Sequence, residues 1–132
     1  MKLEKPQKFL YNKLMKTIFI VDDSDTNLAM AEEALEDHFR IMTLPSAGKM
    51  FTMLEKLTPD LILLDIEMPI MNGFQALERL KAASSWAGIP VIFLTGTINA
   101  NIQEQSSKLG AAGIITKPFS QSALLDCINQ HI

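Results

Sequence analysis

Short apolar runs alternate with longer amphipathic segments along most of the chain. Five runs of aliphatic and β-branched residues, bounded by turn formers, predict strands: TIFIV (17–21), RIMTL (40–44), LILLD (61–65), VIFLT (91–95) and IIT (114–116). Between the strands, apolar residues recur at helical spacing, as they do at Leu28, Ala31 and Leu35. The pattern therefore predicts five successive strand–helix units.

Polar residues mark the places where the predicted helices begin. Ser46 and Asn72 are the expected caps of the second and third helices, and the last helix is expected to begin near Ser120. The first helix has three candidate caps: Asp25, Thr26 and Asn27.

The two helices of the second half differ in apolar content. The segment between about Ile98 and Leu109 is rich in amides and hydroxyls, so it fits either an exposed helix or a mobile functional surface. The last helix is expected to bury one side, formed by Leu124, Cys127, Ile128 and Ile132.

Strands that are apolar on both faces and alternate with amphipathic helices are typical of a parallel sheet covered by helices on both sides. We therefore predict the α/β class, with a flavodoxin-like, doubly wound, five-stranded parallel sheet in the order 2-1-3-4-5. Residues 17–132 are long enough to form one such domain. Residues 1–16 are predicted to be an N-terminal extension or linker.

Composition narrows the class of protein. Apolar residues make up 48% of the chain, but no apolar run approaches the ~20 residues of a membrane span. The net charge of −3 divides into +4 on residues 1–16 and −7 on the rest, and so acidic a domain is expected not to bind nucleic acid directly. Cys127 is the only cysteine, which excludes an internal disulfide and predicts a reducing, cytoplasmic location.

Five polar residues stand at the ends of the predicted strands: Asp22, Asp23, Asp65, Thr95 and Lys117. Each alone could be a helix cap or a turn former. The carboxyl ends of parallel strands meet at one edge, however, so together they predict a cluster. Three neighbouring carboxylates repel one another, so at neutral pH they are expected either to take up protons or to recruit a cation, and oxygen ligands of this kind suit Mg²⁺. One of them could then act as a nucleophile toward a phosphoryl group.

Four segments carry a resemblance to a known family: IFIVDDS (18–24), LILLDIEMPIMNG (61–73), PVIFLTG (90–96) and LGAAGIITKPF (109–119). The DxxMPxMNG motif is highly specific, and an upstream acid pair and a downstream Lys-Pro accompany it. From residue 17 to residue 132, the sequence resembles the receiver domain of response regulators in bacterial two-component systems.

The resemblance implies that Asp65 accepts a phosphoryl group in a phosphorelay. The donor would be a phosphohistidine on a sensor histidine kinase or on a histidine phosphotransfer protein. The resemblance also implies a Mg²⁺ (or Mn²⁺) ion held directly by Asp23 and Asp65. Asp22 would help through a water molecule, and the backbone carbonyl of Glu67 would complete the protein ligands.

The same resemblance implies that Thr95 and Lys117 contact the phosphoryl oxygens, and that the Lys117–Pro118 peptide bond is cis. The chemistry would be confined to phosphorylation and dephosphorylation of Asp65, so the domain is not expected to be an enzyme acting on other substrates. The signal would change the surface formed by the fourth helix, the fifth strand and the fifth helix. A downstream protein or a fused output domain stays unidentified, and a homodimer through the last two helices is allowed.

Two positions depart from the family pattern. Ile114 stands three residues before Lys117, where the family usually has Tyr or Phe, so the usual inward movement of a ring cannot occur here. Glu67 follows Asp65 by two residues. Its carboxylate could change metal affinity or hydrolysis of the acyl phosphate, or it could simply be solvated.

Two alternatives remain at this stage. One is a receiver-like interaction module that no longer uses phosphorylation, which the residue Ile114 keeps open. The other is a phosphatase of the haloacid dehalogenase type, which uses similar residue types. That class is expected to carry a DxD pair on its first strand and a substrate-selecting insert, whereas Asp65 and Glu67 follow the third strand here.

Overall fold

The computed structural model describes residues 15–132, so the predicted N-terminal extension lies almost entirely outside the described residues. The strands are β1 (Thr17–Val21), β2 (Arg40–Leu44), β3 (Leu61–Asp65), β4 (Val91–Thr95) and β5 (Gly113–Thr116). The helices are α1 (Asp25–Leu35), α2 (Ala47–Leu54), α3 (Gly73–Ala82), α4 (Ala100–Lys108) and α5 (Gln121–Asn129). None of these described helices is long and apolar enough to cross a membrane.

All strand pairs are parallel, and the sheet has the order β2-β1-β3-β4-β5. The predicted fold class and strand order are therefore confirmed. The register pairs Val21 with Leu64 and Thr95 with Thr116. Because neighbouring strands end at matching heights, the residues that follow them meet at one edge of the sheet.

The sheet separates two apolar layers, because successive residues of a strand point to opposite faces. Phe19 and Phe93 face the layer that includes α2 and α3, whereas Ile18 and Leu94 face the layer that includes α1 and α5. Every residue of β1, β3 and β4 is buried. Each large apolar side chain buried in this way contributes about 1.5–3 kcal/mol to folding.

Three predicted helix starts are confirmed. The Ser46 hydroxyl caps α2, Ser120 caps α5, and Asn72 caps α3. At α3 the cap is reciprocal, because the Gln75 side chain also accepts the Asn72 N–H at 2.9 Å.

The predicted cap of α1 was wrong. Ser24 is the cap, and its hydroxyl accepts the N–H of Asn27 at 3.3 Å. The Ser24 backbone is extended, as a cap requires, whereas Asp25 is already the first helical residue. In the first turn, the Asp25 carboxylate instead interacts favourably with the positive end of the helix dipole.

The last two helices also differ from expectation in detail. The helix α4 begins at Ala100 rather than near Ile98, and Ser106 is its only buried residue. Ile132, expected on the core side of the last helix, is 39% exposed because α5 ends at Asn129. A residue three positions beyond the helix end no longer follows its buried face.

An aromatic cluster lies beside α2 and α3. The ring centroids of Phe51 and Trp86 are 5.6 Å apart, and the Arg79 guanidinium carbon lies 4.3 Å from the centre of the Phe51 ring. Trp86 belongs to the turn between α3 and β4, at the sheet edge opposite the carboxyl ends of the strands. Stacking of this kind stabilises the join between the two helices.

Candidate functional site

Three carboxylates meet where β1 and β3 end. Asp22 and Asp23 follow β1, and Asp65 is the last residue of β3, which lies next to β1 in the sheet. One oxygen from each of the three lies within 4.8 Å of the others. Asp22 is 1% exposed and Asp65 is 3% exposed, whereas Asp23 is open to solvent. The structure therefore gathers the three acids into a hollow with one exposed side.

Lys117 bridges two of these acids. Its Nζ atom lies 2.8 Å from Oδ2 of Asp22 and 3.0 Å from Oδ1 of Asp65. The Lys117 backbone N–H donates to the Thr95 carbonyl oxygen at 2.8 Å, and the peptide bond to Pro118 is cis, as predicted. With the three acids ionised, one ammonium leaves a net charge of −2 in the hollow.

The electrostatics of the hollow follow from burial and proximity. The pKa of Asp65 is raised from 3.8 to about 6. Burial is the main cause of this rise, and the negative charge of Asp22 is a smaller one. The hydrogen bond from Lys117 opposes this rise. For Lys117 itself, burial alone would lower the pKa, but the contacts with Asp22 and Asp65 outweigh burial and raise it. The lysine therefore stays charged at neutral pH.

The buried carboxylate of Asp22 is only partly satisfied. Its Oδ1 atom accepts the Ser24 N–H at 2.9 Å. Its Oδ2 atom is paired with the Lys117 ammonium at 2.8 Å and has no second partner among residues 15–132. A buried oxygen of this kind, next to two more carboxylates, fits a hard divalent cation such as Mg²⁺ or Mn²⁺.

The loop after Asp65 is fixed at both ends. Near its start, the Glu67 N–H donates to Asp65 Oδ1 at 3.4 Å, and at its end the Gly73 N–H donates to the Ile66 carbonyl oxygen at 2.8 Å. The Glu67 side chain is exposed. Between these ends lies Ile70, which has a positive φ of 71°.

Thr95 lies at the same edge of the sheet but makes different contacts. It is buried, and its hydroxyl donates to the Thr97 carbonyl oxygen at 2.9 Å and accepts the Thr97 N–H at 3.2 Å. No contact joins the Thr95 hydroxyl to the three acids in the described part of the chain. Ile114 pairs with Phe93 in the sheet and packs against the adjoining core while remaining half-buried.

Three contributors to this edge were missed from the sequence alone. Ser24 both caps α1 and donates to Asp22, and its place directly before the helix was the available signal. Gly73 allows the close return of the loop, and the glycine after the Met-Asn pair hinted at it. Nothing in the sequence pointed to the backbone conformation of Ile70.

Comparison with known proteins decides the family. The family model described as "Response regulator receiver domain" matches residues 18–129. The chain belongs to the response regulator receiver domain family. That membership fits the strand order seen here and argues against the haloacid dehalogenase alternative, which expects its acid pair on the first strand.

Individual relatives show the same domain alone and within longer proteins. Protein PilH of Pseudomonas aeruginosa is 34% identical over 116 residues, which cover 87% of this chain and 96% of PilH. A probable cyclic di-GMP phosphodiesterase of Vibrio cholerae is 36% identical over 116 residues, which cover 88% of this chain but only 26% of that protein. The activity in its name is therefore said of that longer protein alone.

Among solved structures, the chemotaxis protein CheY4 of Vibrio cholerae superimposes with a TM-score of 0.85 at 25% identity, covering 89% of this chain and 99% of CheY4. The receiver domain described here thus has the CheY-like form of the flavodoxin fold. Its five parallel strands and five helices leave the acidic hollow at the usual functional edge of such sheets.

Proposed function

We propose that this receiver domain accepts a phosphoryl group on Asp65. The donor is a phosphohistidine on a sensor histidine kinase or on a histidine phosphotransfer protein. The observation that carries the proposal is the buried Asp65 carboxylate, 3.0 Å from the Lys117 ammonium and grouped with Asp22 and Asp23. A carboxylate held beside a positive charge at this edge of the sheet supports a role for Asp65 as the nucleophile.

The transfer is a single displacement at phosphorus. An oxygen of Asp65 attacks the phosphorus atom, an O–P bond forms, and the P–N bond to the donor imidazole breaks. The imidazole leaves with the bonding electron pair and takes up one proton from solvent, so that it departs as the neutral ring. With a pKa of about 6, Asp65 is largely ionised at pH 7 and is ready to act as the nucleophile. The Lys117 ammonium then stands beside the oxygen atoms that gain charge.

The proposal assigns the metal ligands to Asp22, Asp23, Asp65 and the backbone carbonyl of Glu67, with Asp22 acting through water. A bound Mg²⁺ or Mn²⁺ ion supplies charge neutralisation for the transferred group. The net charge of −2 and the grouping of three carboxylates around a single ammonium support this assignment. Asp23, the exposed member, leaves the hollow open to an incoming ion.

The output of the switch starts at Thr95. In the proposed mechanism, its hydroxyl leaves Thr97 and contacts a phosphoryl oxygen, which changes the start of α4 and shifts the population of the surface formed by α4, β5 and α5. Ile114 transmits this change by aliphatic packing, since it has no ring to exchange. Homodimerisation through α4 and α5 and a cytoplasmic location remain predictions of the same proposal.

One experiment tests acceptance directly. The full chain is incubated with Mg²⁺ and acetyl phosphate, and intact mass and peptide mapping follow the gain of one phosphoryl group. We expect the parent protein to gain the phosphoryl group and Asp65→Asn to gain none. The matched control is Asp37→Asn, which removes an exposed acid beyond α1 and should gain the phosphoryl group as the parent does. If the parent gains none, the chain is an interaction module that does not use phosphorylation.

A further inference from the structure

The negative charge of the domain is concentrated around its first helix. Residues 17–39 contain seven acidic residues and no lysine or arginine, whereas residues 40–132 contain seven residues of each sign. Two of the seven acids, Asp22 and Asp23, belong to the hollow. The net charge of −7 on the domain therefore comes from one segment, and most of it lies outside the hollow. The other five acids lie on α1 or in the turn that follows it: Asp25, Glu32, Glu33, Glu36 and Asp37.

An open groove adjoins α1. It has a volume of about 360 Å³ and is lined by Met30, Glu33, Ala34 and Gln121. The Gln121 side-chain amide, at the start of α5, donates to the Ala34 carbonyl oxygen at 2.9 Å and so joins the two helices. Met30 is 46% exposed and is the larger of the two apolar side chains in the groove. The groove therefore offers an apolar contact with a carboxylate beside it.

The basic end of the chain leaves the domain beside α1. The Phe39 N–H donates to the carbonyl oxygen of Leu35, the last residue of α1, at 3.0 Å. The next residue, Arg40, donates its N–H to the Lys16 carbonyl oxygen at 2.9 Å. Residues 1–14, which lie outside the described residues, therefore continue from a point next to the end of α1.

The groove is close to this point. Met30 is five residues from the end of α1, about 8 Å along the helix axis. A segment of 14 residues spans up to ~46 Å when extended. Residues 1–14 therefore reach the groove without any change in the domain.

Residues 1–16 match this face of α1 in charge and in apolar content. They carry a net charge of +4, from five lysines and one glutamate. Opposite charges on exposed surfaces attract one another over a Debye length, about 8 Å at physiological ionic strength. The segment can therefore supply both kinds of contact that the groove and the acids offer. Its apolar side chains lie among the lysines in the sequence: Phe9, Leu10, Tyr11 and Leu14.

We propose that residues 1–14 dock in the groove between α1 and α5, with lysines near the acids of α1 and apolar side chains against Met30. The segment then covers the outer face of α1, and another protein contacts that face only after displacing it. This inference goes beyond the proposed function, because the docking needs no phosphorylation of Asp65. None of its tests involves a phosphodonor, so the proposed function stands or fails independently.

A spin label tests the contact in the full chain. The label is attached to Leu10→Cys in a Cys127→Ser background, so that position 10 carries the only thiol. The amide NMR signals of Met30, Ala34 and Gln121 should lose most of their intensity, because an unpaired electron broadens the signals of nearby nuclei. Equal intensities with the active and the reduced label would overturn the inference and leave α1 with a solvated acidic face only.

The matched control carries the label on Glu78→Cys in the same background. Glu78 is an exposed residue of α3, on the other face of the sheet, and its label should leave the three groove signals unchanged. Broadening of those signals by both labels to the same extent would overturn the inference, because it would reflect random encounters between molecules.

Substitutions test the two kinds of contact, again with the label at position 10. Lys8→Glu combined with Lys13→Glu removes the net positive charge of residues 1–16, and Met30→Asn removes the exposed apolar side chain of the groove. Each change should restore much of the lost intensity. Lys108→Glu reverses a lysine on α4 instead and should restore none. If neither of the first two changes restores intensity, the proposed contacts are wrong.

A mixed sample distinguishes docking within one chain from docking between two. Isotope-labelled chains without a spin label are mixed with spin-labelled chains of natural isotope content. We expect no loss of intensity at Met30, Ala34 and Gln121, because each segment docks on its own domain. A loss in the mixture equal to that within the single chain would show that the groove binds the segment of a second copy, and it would overturn the inference.

Discussion

A Cβ atom at Gly73 would lie 2.4 Å from the carbonyl oxygen of Asp65 and 2.8 Å from the Cα atom of Ile66. Both neighbours are backbone atoms, which cannot turn aside as a side chain can. The absence of a side chain at Gly73 therefore lets the first turn of α3 lie directly against the end of β3. The position of the Asp65 backbone depends on that contact.

We expect Gly73→Ala to destabilise the fold by about 2 kcal/mol, because a methyl group forced against backbone acts as overpacking. The shift should also displace Asp65 and slow its phosphorylation by acetyl phosphate. Chemical denaturation and intact-mass kinetics measure the two effects. Gly48→Ala is the control: its Cβ would meet only Ser46 Oγ at 3.8 Å, and it should gain up to ~1 kcal/mol as a helical position. Equal stability of Gly73→Ala and the parent would contradict the packing argument.

The raised pKa of Asp65 predicts a pH-dependent stability in the absence of divalent cations. Its folded pKa of about 6 exceeds its ordinary value of 3.8, so the folded state binds this proton more tightly than the unfolded chain does. The associated stability is fully present below pH ~4 and is lost as the pH rises through ~6. At pH 7, Asp65→Asn should therefore be more stable than the parent by up to about 3 kcal/mol.

Urea unfolding in EDTA from pH 4 to pH 7 checks this prediction. The advantage of Asp65→Asn should shrink toward pH 4, where the parent carboxyl is itself neutral. Asp37→Asn controls for the loss of one negative charge on the surface. If the advantage is the same at both ends of the range, protonation of Asp65 is not its cause.

Addition of Mg²⁺ should stabilise the parent, because the ion binds the folded hollow and not the unfolded chain. At ten times the dissociation constant the gain is about 1.4 kcal/mol, seen as a rise in Tm. Asp23→Asn should lose most of this gain. Asp25→Asn removes an acid two residues away that is not part of the cluster, and this variant should keep the stabilisation by Mg²⁺. A similar loss in both variants would point to general screening rather than a site.

Replacing Lys117 should separate chemistry from folding. In Lys117→Met, Asp22 and Asp65 lose the ammonium that lies within 3.0 Å of both, and the metal-free protein should lose about 2 kcal/mol at pH 7 because two buried charges remain unpaired. Mg²⁺ should then raise Tm more than in the parent, since the lysine no longer competes for the same oxygens. Phosphorylation should still be slow. A parent-like phosphorylation rate would remove Lys117 from the proposed mechanism.

Hydrogen exchange should locate the output surface. The helix α4 buries only Ser106, whereas α3 buries Ala76, Leu77 and Leu80, so amides of α4 should exchange faster. Beryllofluoride with Mg²⁺ should slow or shift exchange in residues 96–110 while leaving α3 unchanged. Unchanged exchange in that segment would place the output elsewhere.

Much of this architecture was predictable because β1, β3 and β4 are uninterrupted apolar runs with polar residues directly after them. The same runs predicted that Asp22, Asp23 and Asp65 would reach one edge, since the topology of a parallel sheet leaves little choice. Errors arose where several polar residues compete. The run from Ser24 to Asn27 offers four possible caps, and backbone geometry rather than composition selects the first.

Other features depend on atomic detail that a residue type does not encode. The Thr95 hydroxyl bonds to the backbone of Thr97 instead of facing the acids, and the Lys117 ammonium pairs with Asp22 as well as with Asp65. Ile70 has a left-handed backbone conformation, which β-branched residues rarely adopt. This conformation is imposed by a loop whose two ends are fixed elsewhere.

The fluorescence of the single tryptophan, Trp86, reports on the core and not on the acidic hollow. Trp86 stacks near Phe51, at the sheet edge opposite the acids. The residue next to Asp65 is Ile66, which does not fluoresce. The Trp86 fluorescence should therefore follow cooperative melting of the core and ignore occupancy of the hollow. Signals that change with added ion or phosphodonor at constant temperature must then come from a probe introduced elsewhere.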